Sequence, residues 1–290
     1  MHTEDYFARP KVTDHDGHMV MTDVIRSRKV KYVNIDTRFL STTSSMSSEY
    51  SIQLVEMLRD VTSLQVVQME VPISFHTISE RLGNNQFTIT DTATARVTQY
   101  LVPDFYYSHS SIGDLFQTLN GYSALYVFAT SRTGYTTIKN LSGAPITIKF
   151  GTGTNSLDSL GQLLGFRLNT YNMPILPVSV TLTSESAIDA NPMRYLYLCL
   201  EDYSASSSTD FVSYLAHSIV AKKIASRITL GNSQFGSVIC NSPSTAVSNV
   251  RRFSNPVHLA KLAFQLVAEN GTTINMNGLG YSFVLRVEHE

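Results

Sequence analysis

From Val30 to its end the chain is divided into short segments in which apolar or β-branched residues alternate with polar ones, each closed by Gly, Pro, Asn or a Ser/Thr run. Alternation sends successive side chains to opposite faces of an extended backbone, so each segment buries one face and must be layered against others. The pattern predicts strands at Val30–Phe39, Tyr50–Leu54 and Val61–Val71, the last closed by Pro72, which cannot donate to a ladder. It predicts more at Gln86–Thr90, Arg96–Val102, Leu125–Thr130, Tyr135–Asn140, Pro145–Phe150, Val178–Thr183, Arg194–Glu201, Arg227–Leu230, Gly236–Cys240, Leu259–Glu269 and Gly280–Glu288. Ser41–Ser48 reads as a loop, and Gly134, Ser142-Gly143, Asn270-Gly271 and Asn277-Gly278 supply turns between antiparallel neighbours.

Two short helices interrupt the strands. Ser111 to Asp114 resembles a capping box with Asp in place of Glu, and Ile112, Leu115, Phe116 and Leu119 form one apolar stripe. The second is expected from about Leu157 to Leu164, with Ser156 as N-cap and Gly165 as the stop. Helices this short are unstable alone, so each must lay its stripe on a sheet. Many strands and few helices predict an all-β fold, a single jelly-roll β-sandwich with short helical insertions. Residues 1–29, polar and without period, are read as an N-terminal arm, and residues 30–290 as the jelly-roll domain.

Charged residues are only 16% of the chain against 43% hydrophobic. A surface so poor in charge must be built from Ser, Thr, Asn and Gln, which suits assembly surfaces better than a solvated enzyme exterior. The formal net charge of -1 gives no basic field for nucleic acid. No stretch approaches the apolar length of a membrane span, and MHTEDYFARPK lacks a signal-peptide core, so cytosolic assembly is expected. Cys199 and Cys240 belong to no metal or redox pattern and are read as reduced, buried small hydrophobes. The glycosylation sequons at Asn140 and Asn270 are read as chance matches.

Groups able to carry chemistry are scattered. Asp14, His15, Asp16 and His18 are the densest cluster, but their spacing matches no metal-ligand pattern. His2, His76, His109, His217, His258 and His289 stand singly. Gly151–Asn155 lacks the lysine of a phosphate loop and is read as a turn. Glu201 and Asp202, adjacent on a strand, point to opposite faces and are read as its exposed end. Lys222-Lys223 and Arg251-Arg252 are read as solvated pairs, and the basic run of Arg26, Arg28, Lys29 and Lys31 as a soluble linker, with neutralisation of an acidic partner surface as the alternative. No catalytic, cofactor-binding or metal-binding residue is assigned, and the chain is read as a structural protein and not an enzyme.

Tyr32–Phe39 reads Y-V-N-I-D-T-R-F, and it is followed by Tyr50–Leu54, Leu58–Pro72 and Asn84–Phe87. This resembles the capsid-associated jelly-roll proteins of large nucleocytoplasmic double-stranded DNA viruses, in which such a strand precedes an L…V-x-S-L…E-(I/V)-P segment. Later elements agree in order: a helix ending near Leu119-Asn120, one closing with Leu163–Phe166, the Tyr195–Leu200 strand and the Asn277–Phe283 segment. The resemblance carries packing and turn motifs and implies no catalytic residue. It implies a virion protein assembled in the host cytoplasm: a penton subunit forming a pentamer and contacting the major capsid protein and other minor capsid proteins. A minor capsid (cement) protein bridging capsomers is the alternative. A carbohydrate- or receptor-binding jelly roll is a further one, weakened by the absence of tryptophan, and a β-sandwich hydrolase would need converging acidic groups.

Overall fold

A computed structural model describes residues 28–41, 47–107, 111–151, 159–174, 180–189, 191, 193–204, 211–215, 219–220, 223–241 and 247–290. Most of the expected arm, most of the Ser41–Ser48 loop and the expected Ser156 cap lie outside the described residues. The rest is all-β apart from two short helices and one 3-10 turn.

Strand pairing is nested. β1 (Lys29–Asp36) at the start pairs with β17 (Ser282–His289) at the end. Inside that pair, β2 (Glu49–Pro72) meets β16 (Val250–Val267), and inside that, β10 (Tyr195–Glu201) meets β13 (Ile224–Thr229). First-with-last, second-with-next-to-last pairing is what a long antiparallel hairpin gives when it is rolled into a jelly roll. The sheet order is β1-β17-β2-β16-β10-β13-β15, with β15 (Val247–Ser248) at one end and β14 (Val238–Asn241) beside β2.

This sheet folds over on itself because its two long strands cross between layers. The start of β2 pairs with the end of β16, from Glu49↔Gln265 to Gln53↔Lys261, whereas Leu64 further along pairs with Arg251 at the start of β16. Between these stretches the register shifts repeatedly, and Asp60 adopts φ 52°. Bulges of this kind bend a strand and sharpen its twist. The layers meet through Phe264 of β16 and Phe283 of β17, whose rings stand edge to face at 4.9 Å. Tyr50, Leu198, Leu262, Leu285 and Val287 complete this core. Tyr50–Leu54 and Val61–Val71, expected as two strands, are one, because the interval between them is a bulged crossing and not a turn. For the same reason β16 begins well before the expected Leu259.

Between β2 and β10 the chain builds a further pair of sheets. β3 (Gln86–Asp91), β4 (Val97–Leu101), β7 (Ile146–Phe150) and β8 (Thr170–Met173) form one, in the order β4-β3-β7-β8. β5 (Tyr126–Thr130), β6 (Tyr135–Asn140) and β9 (Val180–Ala187) form the other. They enclose a second core in which Phe87 stacks on Tyr100 at 4.6 Å and meets Phe128 edge to face at 5.8 Å. α1 (Ile112–Gly121) buries Leu115, Phe116 and Leu119 as its stripe requires. Its expected capping box does not form: Ser111 has φ -108° and ψ 6°, and its side chain makes no cap bond. α2 (Leu160–Leu163) is capped instead by Ser159, whose hydroxyl accepts from the Gln162 amide, and it stops at Gly165 as expected.

Gly165 has φ 94°, and a Cβ there would lie 2.1 Å from the carbonyl oxygen of Ser186. Gly165→Ala is expected to destabilise the chain by about 1–3 kcal/mol, from backbone strain plus overpacking, read as a lowered urea midpoint.

Candidate interaction surface and its buried charge clamp

Asp202 follows β10 directly, and Arg251 is the second residue of β16. Their side chains are 0% and 4% exposed, and Arg251 Nη1 lies 2.6 Å from Asp202 Oδ2. The same Nη1 donates to the Leu200 carbonyl at 2.8 Å, Nη2 donates to the Lys223 carbonyl at 3.4 Å, and the Ser204 amide donates to Asp202 Oδ1 at 2.8 Å. One guanidinium thus ties the end of β10, the approach to β13 and the start of β16, where the two layers meet. Lys223 Nζ adds a 2.8 Å ion pair to Glu201. The expectation of a solvated Arg251 and an exposed strand end at Asp202 is therefore corrected, because the fold of the sheet closes over both groups. Arg252, one residue on, faces solvent, as alternation demands.

A second polar knot sits between the two cores. Glu269 Oε1 accepts from the backbone amides of Arg194 at 2.6 Å and Tyr195 at 3.1 Å, while Arg194 Nη2 pairs with Asp189 at 3.1 Å. Both carboxylates line a cavity of about 140 Å³ with Asn84 and Gln162. They are engaged in holding the entrance to β10 in place. Arg227 lies over the Tyr195 ring, 4.0 Å from its centroid, and adds a cation–π contact beside them.

The D-T-R motif at residues 36–38 is a local lock. Asp36 accepts from the Arg38 amide at 3.0 Å and is gripped by its guanidinium, while Thr37 exchanges hydrogen bonds with the backbone of Tyr281 at 2.7 and 2.9 Å. Phe39, which follows, is 82% exposed. Tyr32 and Val30 on β1 are 64% and 43% exposed, and Val238 and Leu279 are also solvent-facing. Phe39 and Leu279 thus stand in water at tight turns, and Tyr32, Val30 and Val238 on strands.

The remaining sequence candidates stay apart. Asp14–His18, His2, His109, His217, Arg26, Lys222 and residues 152–155 lie outside the described residues. His76 neighbours Asn277, and His258 Nδ1 accepts from the Asp60 amide at 3.2 Å. Among the described residues no group of three His, Cys, Asp or Glu could hold a metal ion. Lys31 pairs with Glu56 at 3.0 Å, and Arg28 lies 3.9 Å from Glu288. Neither Cys199 nor Cys240 forms a disulfide; Cys199 is buried, but Cys240 is exposed. That half of the expectation is corrected because alternation on β14 turns Cys240 outward and Asn241 inward. Asn140 is buried and its side chain organises the following turn, accepting from the Ser142 amide and donating to the Ala144 carbonyl, both at 2.9 Å. Among the described residues no helix is long and apolar enough to cross a membrane.

No family model matches the chain, and no curated protein matches it by sequence. A solved structure similar to it is the crystal structure of the selenomethionine-labelled mavirus penton protein, at 10% identity and a TM-score of 0.44, covering 91% of this chain and 99% of that one.

Arg251→Met would strand the buried Asp202 carboxylate and is expected to cost about 3–5 kcal/mol, whereas Arg251→Met with Asp202→Leu should recover most of the loss. Urea unfolding of both variants reads the difference.

Several carboxylates titrate low. Contact with the Arg38 guanidinium lowers Asp36, and hydrogen bonds from Ser63 and Arg286 lower Glu288 against the opposing effect of burial. At Glu201 and Glu185 burial pushes upward, but bonds from Lys223 and Tyr171 respectively, with backbone amides, outweigh it. Burial raises Glu269 despite its two amide bonds. The four lowered groups stabilise the fold fully above their ordinary range, and that stability is lost as pH falls through their depressed values; Glu269 acts in the opposite sense. The urea midpoint should therefore drop between about pH 6 and about pH 3, and Glu288→Gln should shrink the drop. An unchanged midpoint would contradict this.

Proposed function

We propose that this chain is a structural subunit of an icosahedral viral shell: a penton in which five copies close into a ring at a vertex and contact the major capsid protein. One observation carries the reading. The fully buried pair Asp202 and Arg251 and the half-buried Glu269 hold strands together, while apolar and aromatic side chains at Phe39, Tyr32, Val238 and Leu279 stand in water. An interface core needs apolar and aromatic anchors with little charge, held in one geometry before contact. The D-T-R lock beneath Phe39 supplies such preorganisation at a segment where the sequence also resembles capsid jelly rolls.

On this reading residues 30–290 are the jelly-roll domain, with the sandwich of β3 to β9 inserted between β2 and β10, and residues 1–29 are an arm laid against neighbouring shell proteins. A ring of identical heterologous contacts closes when the rotation per copy fits the symmetry. The protein acts in the virion after assembly in the host cytoplasm, and it acts by contact, not by catalysis.

Native mass measurement of the purified chain over a wide concentration range tests the reading. A species of five times the 32.2 kDa chain mass is expected. A monomer or dimer at every concentration would remove the penton and leave the cement role as the better account.

A further inference from the structure

We propose that the free edge of β1 is a two-fold contact with a second copy of this chain, the two β1 strands running antiparallel with Tyr32 opposite Tyr32. This goes beyond the ring contact proposed above, which is heterologous and does not depend on it. β1 pairs with β17 on one side, and among the described residues nothing pairs with its other side. An open edge of eight residues, about 26 Å long, is a template for another strand unless charge, proline or a bulge blunts it. β1 contains no proline, its ladder to β17 is unbroken from Lys29 to Asp36, and the Lys31 ammonium is taken up by Glu56 at 3.0 Å. Its outer face presents Val30 and Tyr32 to solvent, while Ile35 points into the core.

The order of charges along the strand makes it complementary to itself when reversed. It enters with Arg28, Lys29 and Lys31 and leaves with Asp36. An antiparallel pair keeps both layers aligned only if residues of like face are opposed, which permits every second register. With Tyr32 on the axis, Arg28 opposes Asp36, Val30 opposes Asn34, Lys31 opposes Val33 and Lys29 opposes Ile35, so no like charges meet. The permitted register on one side sets Lys31 against Lys31, and the one on the other sets Lys29 against Thr37, where the strand has already turned into a 3-10 helix. Opposed like charges destabilise a strand pair. The Tyr32 register keeps extended backbone opposed from Arg28 to Asp36 without setting like charges against each other, with two Tyr32 rings packed at the axis. Arg28, 69% exposed at its side chain and 3.9 Å from Glu288, lies beside the partner's Asp36 end, where the carboxylate is held by Arg38. A contact of this length is small, so it forms only at high protein concentration.

The test uses the full chain with Cys240→Ser, which removes the exposed thiol, and a single cysteine at Tyr32, Val30 or Asn34. With a short bis-maleimide at high protein concentration, Tyr32→Cys is expected to give a covalent dimer at least tenfold faster than Val30→Cys or Asn34→Cys alone. A mixture of the Val30→Cys and Asn34→Cys chains should cross-link to each other. All three positions are solvent-facing, and urea midpoints matching that of the Cys240→Ser parent verify that the variants fold. Equal rates at all three positions, or no dimer with Tyr32→Cys, would overturn the contact. A pentamer by mass that fails to cross-link at Tyr32 loses this contact and keeps the ring; a monomer by mass that does cross-link keeps the contact and loses the ring.

Discussion

The antiparallel ladder between β2 and β16 is the constraint on which both layers of the large sheet depend. Each of these strands belongs to one layer at its start and to the other at its end, so their pairing has to be held through the bends where they cross. The register shifts near Asp60 and Leu259 are where the ladder yields, and the regular stretches on either side fix the strands that flank it. β17 and β14 build outward from the end of β2, and β10 builds outward from the end of β16. Without the crossings, the apolar faces carrying Phe264 and Phe283 would lie side by side on one flat sheet instead of facing each other.

Folding a sheet over in this way brings polar backbone to a buried seam, and Arg251 answers that problem. The Lys223 carbonyl already accepts from the Leu200 amide at 2.9 Å and takes a longer bond from Arg251, while the Leu200 carbonyl, paired with Arg251, would be costly to bury unpaired. A guanidinium can satisfy both and still meet a carboxylate, because its donors lie in one rigid fork. The buried pair with Asp202 contributes little net energy compared with well-packed apolar residues, but it admits only one arrangement of the three strands. Glu269 does comparable work at the entrance to β10, where its carboxylate takes the amides of Arg194 and Tyr195 that open the strand.

Buried charge is committed to the seam and the half-buried Glu269 to the β10 entrance, while apolar side chains stand in water on other edges and turns. Phe39 is held out by a turn that Asp36, Thr37 and Tyr281 fix from three directions, and Tyr32 is held out by the alternation of a strand whose other face is in the core. The backbone beneath both side chains is fixed by these bonds, which on the proposed reading lowers the entropy lost on association. The second sandwich, carried between β2 and β10, has its own aromatic core and meets the first at the cavity beside Glu269, lined by Leu163 of one core and Met193 and Ala268 of the other.

Alternation in the sequence determined the all-β character, most strand positions and the outward or inward sense of individual side chains. These follow from a two-residue period that any extended chain obeys. The stripe of α1 and the stop at Gly165 were legible for the same reason: each rests on neighbours a few residues away. The union of Tyr50–Leu54 with Val61–Val71 was not legible, because a bulged crossing and a turn are equally polar and irregular when read along the chain. Nor could the sequence show the Arg251–Asp202 clamp, since its members lie 49 residues apart and look like ordinary surface charge until the folded sheet encloses them. Tertiary structure decided which polar groups are buried and which aromatic ones are not, because burial depends on what lies across from a residue, and only the folding of one layer onto the other sets that.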